Sequence, residues 1–100
     1  VIARNDFIEA HPDAVETFLQ QYEASVNYVN DNVADAAVLV GNYDIVAAQV
    51  AEKAIPECNI VFVEGDEMQQ IASGFLQVLY DANPQSVGGN LPNEDFYYKR

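Results

Sequence analysis

Residues 59–63 read Asn59-Ile60-Val61-Phe62-Val63, a β-branched and aromatic run with no polar alternation. Such a run predicts a strand covered on both faces, because a strand open to water on one side alternates apolar with polar residues. That expectation constrains everything around it. A strand buried on both sides needs neighbours, since each buried unpaired backbone group costs about 1–3 kcal/mol. Only residues 1–4, Val1-Ile2-Ala3-Arg4, offer even a fragment of a second strand. The expected fold class is therefore α/β: mostly helical, about four helices, with one buried strand near 59–63 and a short strand near 1–4. The missing strands would come from a larger domain or from self-association.

The helices are written in the spacing of apolar residues. Asn5-Asp6 can cap a brief turn over residues 7–10. His11-Pro12-Asp13 then opens the clearest element, with Pro12 at a first helical position and Asp13 and Glu16 complementing the positive end of the helix dipole. Val15, Phe18, Leu19, Tyr22, Val26 and Val29 recur at helical period to about residue 30, predicting a core or lobe-interface stripe. Asp31-Asn32 can cap a shorter helix with Val33, Ala36, Ala37 and Val40 on one small-residue face, which favours close helix contact. Gly41 is expected to supply its left-handed stop. Asp44 is expected to cap a third helix carrying Val46, Ala47, Val50 and Ala54, ended by Pro56. After the apolar run, Glu64-Gly65-Asp66-Glu67 leads into a helix with Met68, Ile71, Ala72, Phe75 and Leu79 on one side and Asn83-Pro84 at its end. Residues 85–100 should form an irregular tail, turned at Gly88-Gly89 and pinned by Phe96, Tyr97 and Tyr98.

The chain has 100 residues, of which 50% are hydrophobic, so it can build a core as one domain, residues 1–100, despite a net charge of −12. That charge repels phosphate backbones and anionic lipid, making nucleic acid and bare membrane poor partners. Arg4, Lys53, Lys99 and Arg100 are scattered and form no basic patch. With one cysteine, Cys58, and one histidine, His11, there is no internal disulfide and no ligand set for a structural zinc site.

Candidate chemical groups have plain structural explanations. His11 flanks a helix start and reads as solvated rather than catalytic. Cys58 precedes the apolar run beside Glu57 and is expected to be a buried structural thiol. Glu64, Asp66 and Glu67 lack the pattern of a calcium loop and suit a helix start. Gly88-Gly89 lacks the G-x-G-x-x-G context of a phosphate cradle and reads as a turn. The expected site inventory is thus no catalytic residue, no metal ligand and no cofactor, with ligand-binding residues undetermined.

The string Asp6-Phe7-Ile8-Glu9-Ala10-His11-Pro12-Asp13-Ala14-Val15-Glu16-Thr17-Phe18-Leu19 resembles a passage of ABC-importer substrate-binding proteins of the taurine, alkanesulfonate and nitrate type. Ala54-Ile55-Pro56-Glu57-Cys58-Asn59-Ile60-Val61-Phe62, Gly65-Asp66-Glu67-Met68, Gly88-Gly89-Asn90-Leu91-Pro92 and Phe96-Tyr97-Tyr98 resemble a subgroup of these from anaerobic Gram-positive bacteria. Together the matches span essentially the whole chain. The resemblance implies the C-terminal portion of a type 2 periplasmic-binding lobe, in a longer, extracytoplasmic, membrane-anchored lipoprotein whose signal and anchor lie elsewhere. It implies a non-enzymatic role: capturing a small-molecule solute between two lobes and delivering it to an ABC permease. None of its ligand-contacting motifs maps onto a residue here.

Two other classes stand beside it. A helical protein–protein interaction module would self-associate through the stripe containing Phe18 and Tyr22. Thiamin-precursor synthases share the binding-protein fold, but they resemble it with a His/Cys-rich iron motif that is absent from this chain.

Overall fold

The computed structural model describes all of residues 1–100 and is built of helices, with no strand and no sheet. It divides into two compact units, Val1–Phe62 and Val63–Arg100.

In the first unit, α1 (Asn5–Ala10) and α2 (Pro12–Asp31) meet at His11, with Pro12 opening α2 as its missing amide allows. Asn32 separates α2 from α3 (Val33–Asn42), and α4 (Ala48–Ala54) runs into a 3₁₀ turn, Ile55–Glu57, that accommodates Pro56. The core is small. Ala36, Ala37, Ala51 and Ile55 are buried together, with Val29, Val33, Val40 and Ile60 packed against them. Val26 of α2 is the other buried apolar residue.

The stop after α3 differs from the expectation. Gly41 lies inside the helix, and the left-handed residue is Asp44, with φ of 55°. Asp44 N–H donates to the Gly41 carbonyl at 3.1 Å and Ile45 N–H to that of Val40 at 3.2 Å, the paired bonds of a Schellman ending. Asp44 therefore terminates α3 instead of capping α4, which starts after Ala47. The reason is packing: a Cβ on Gly41 would stand 3.1 Å from the Ala48 Cβ and 3.2 Å from its nitrogen. Glycine is needed there for close approach of α4, and the left-handed residue falls three positions later, on Asp44, whose short polar side chain tolerates a positive φ.

The expected strands are absent. Residues 59–64 belong to no helix or strand, and residues 1–4 are exposed coil, with Val1 84% and Ile2 93% exposed. Asn59, at φ of 51°, redirects the chain after the 3₁₀ turn. Ile60 then joins the core, and its carbonyl accepts a 2.9 Å hydrogen bond from the Asn30 side-chain amide of α2. Phe62 meets Tyr22 edge-on at 5.9 Å, while Val61 between them is 58% exposed. Asn30 also donates to the Val26 carbonyl at 3.0 Å. Ile60 and Phe62 thus lie against α2 with Val61 facing outward, and a side-chain amide takes the place of a sheet partner at the Ile60 carbonyl. An α/β assignment for these residues, including a periplasmic-binding lobe, is incorrect.

In the second unit, α5 (Gly65–Ala82) follows Glu64, and 3₁₀ turns Pro84–Val87 and Glu94–Phe96 punctuate an otherwise irregular tail. Asn83 Oδ1 accepts from Gln85 N–H at 3.1 Å, and Ser86 Oγ donates to the Leu79 carbonyl at 3.0 Å. Gly88 and Gly89 turn the chain at φ of 79° and 92°. Gly74, mid-helix, has open space where a Cβ would sit. Gly74→Ala is therefore expected to raise stability by about 0.5–1 kcal/mol, read as a higher denaturant midpoint at unchanged slope.

Candidate functional site

The individual groups with chemical potential are dispersed. His11 is exposed, its ring 4.9 Å from that of Phe7. A shallow, open depression beside it is lined by Ile2, Arg4, Asp6 and Phe7, and Arg4 is paired to Asp6 within it. That pairing holds the Asp6 carboxyl below the usual carboxylate range. Cys58 is exposed, contrary to the expected buried thiol, because no sheet closes over the residues that follow it. No cluster of His, Cys, Asp and Glu is arranged to hold a metal ion. Phe96 and Tyr97 touch edge-on at 5.2 Å, and Phe96 is 59% exposed.

Charged groups make the contacts of the tail. Lys99 Nζ lies 2.6 Å from Asp66 Oδ1. Arg100 grips Glu64 through two bonds, Nε to Oε2 at 2.6 Å and Nη2 to Oε1 at 3.1 Å. Gln69 Nε2 donates to Glu94 Oε2 at 2.9 Å. The sequence marks these cations as scattered, and no short-range pattern links them to acids more than thirty residues away. The Lys99 ammonium lowers the Asp66 carboxyl pKa, first by hydrogen bonding and then by charge. An acid with a lowered folded pKa contributes stability above its unfolded value, near 3.8, and loses that contribution as pH falls through the folded value. The Asp66 contribution should thus be constant from neutral pH to about pH 5 and fade below about pH 4. Asp66→Asn should abolish that part of an acid-unfolding profile, compared by circular dichroism.

What the chain chiefly presents is apolar surface. On α5, Met68, Ala72, Leu76 and Leu79 are half-buried, whereas Ile71, Phe75 and Val78, one helical stripe, are 58%, 63% and 66% exposed. The apolar arc of α5 is wider than a surface helix needs, and only part of it is covered. In the first unit, the α2 stripe leaves Phe18 48% and Tyr22 39% exposed, their rings stacked at 5.7 Å. A second patch follows α3 through the Schellman turn to α4, where Leu39, Tyr43, Ile45 and Val50 are all exposed. The chain's accessible surface is 7560 Å².

Periodicity identified the α2 and α5 stripes but not their exposure, because a stripe covered by its own domain and one awaiting a partner have the same spacing. Asn30, the clamp on residue 60, carried no sequence signal. No known family model, curated protein or solved structure matches this chain.

Proposed function

We propose that this chain belongs to the solute-binding component of an ABC importer, an extracytoplasmic lipoprotein that captures a small molecule and passes it to a membrane permease without catalysis. The observation that carries the reading is the uncovered apolar surface of α2 and α5. A helix that leaves Ile71, Phe75 and Val78 in water is suited to being covered by other segments of its own protein. The resemblance of residues 6–19, 54–62, 65–68, 88–92 and 96–98 to these components supports the choice of that protein class. Several of those matched positions are conformationally demanding: Asn59, Gly65, Gly88 and Gly89 all have positive φ. The reading keeps the binding role and abandons the α/β lobe as a description of these residues. No cofactor, metal or nucleic acid enters it, and solute contacts are assigned to none of the residues here.

Thermal-shift screening of the intact protein bearing this segment, against sulfonates, amino acids, thiamin precursors and inorganic ions, tests the proposal. A true ligand at a hundredfold excess over Kd adds about 2.7 kcal/mol, a shift of several degrees in Tm. No saturable shift from any class would overturn it.

A second reading, a helical module that self-associates, is favoured by the continuity of the α5 stripe. Light scattering decides it: a concentration-dependent dimer of residues 1–100 that Phe75→Glu converts to monomer supports this reading. A monomer at all concentrations eliminates it.

A further inference from the structure

We propose that residues 91–100 act as an ionic strap, which fastens to the start of α5 at low ionic strength and releases as salt rises. Glu94 meets Gln69, Lys99 meets Asp66 and Arg100 meets Glu64, so later tail residues meet earlier positions at the start of α5 and the two run antiparallel. Two of these contacts are ion pairs, and together they use half of the four cations in a chain of net charge −12. Apolar contact contributes little to the closure: Phe96 is 59% and Tyr98 36% exposed, and Tyr97 is only half-buried. Neither ion pair is sealed from solvent, the Asp66 side chain being 90% and that of Glu64 40% exposed. Salt therefore reaches both, and the Arg100 fork, whose side chain is 17% exposed, is the stronger hold.

Salt acts on the rest of the molecule with the opposite sign. Screening relieves the mutual repulsion of the surplus carboxylates and favours compact states. A tail that loosens as salt rises is thus distinguishable from general destabilisation, which salt would diminish. This proposal is independent of the solute-binding reading, since it rests on the contacts of the tail with Gln69, Asp66 and Glu64.

Chymotrypsin cleavage after Phe96, Tyr97 and Tyr98 reports the open strap, with cleavage after Tyr43, which is 78% exposed and remote in sequence from the strap, as an internal reference for enzyme activity. Between about 0.01 M and about 1 M sodium chloride the screening length falls from roughly 30 Å to roughly 3 Å. Tail cleavage relative to Tyr43 should rise about three- to tenfold over that range, as expected for two partly exposed ion pairs. Glu64→Gln with Asp66→Asn should raise the low-salt ratio and flatten its rise with salt, whereas Lys53→Gln, outside the strap, should leave the wild-type response intact. A ratio that does not change with salt in the wild type, or a double variant that still responds to salt like the wild type, would overturn the strap.

Discussion

Ile55→Ala should destabilise the Val1–Phe62 unit by about 2–5 kcal/mol, the cost of deleting a large aliphatic side chain from a site with little room to collapse. Ile55 is the one large side chain in a buried cluster otherwise made of alanines, and Val29, Val33, Val40 and Ile60 pack against that cluster, so its truncation removes the contacts that join them. It also forms the corner between α4 and the 3₁₀ turn that delivers residues 59–62 to α2. Since a small domain holds only about 5–15 kcal/mol in total, this single truncation should remove a large fraction of the unit's stability. Equilibrium urea unfolding, followed by far-ultraviolet circular dichroism, measures it. A loss below about 1 kcal/mol would show that the cluster is not the organising core.

Gly41→Val is the second large effect, and it arises from too much side chain. Even the first carbon would lie 3.1 Å from the Ala48 Cβ and 3.2 Å from the Ala48 backbone nitrogen. Backbone cannot rotate aside as a flexible side-chain end can, so α3 and α4 must separate around Ala36, Ala37 and Ala51. Overpacking of this kind costs about 1–3 kcal/mol, to which valine's restricted rotamers in a helix add nothing favourable. The same type of change at Gly74, where space is open, carries the opposite sign. Measuring both variants by chemical denaturation separates crowding from helix propensity: Gly41→Val should unfold at lower urea than wild type and Gly74→Ala at higher.

The helices were legible in the residues because their signals are local. Pro12 opens α2, Asn83-Pro84 closes α5, and apolar spacing between them repeats at the helical period. The small-residue face of α3 likewise announced a close neighbour. The candidate surface was legible only as stripes, and the strap not at all, because Lys99 and Arg100 find Asp66 and Glu64 through the path of the tail rather than through spacing.

What the sequence by itself determined is where this chain coils and which side of each coil is apolar, since caps, prolines and periodicity act within a few residues. What only the tertiary structure decided is the fate of residues 59–63 and the exposure of Ile71, Phe75 and Val78. An apolar run becomes a strand only if another strand answers its amides. Here no strand does: Asn30 answers one carbonyl and Tyr22 meets one ring, so the segment is held against α2 without a sheet.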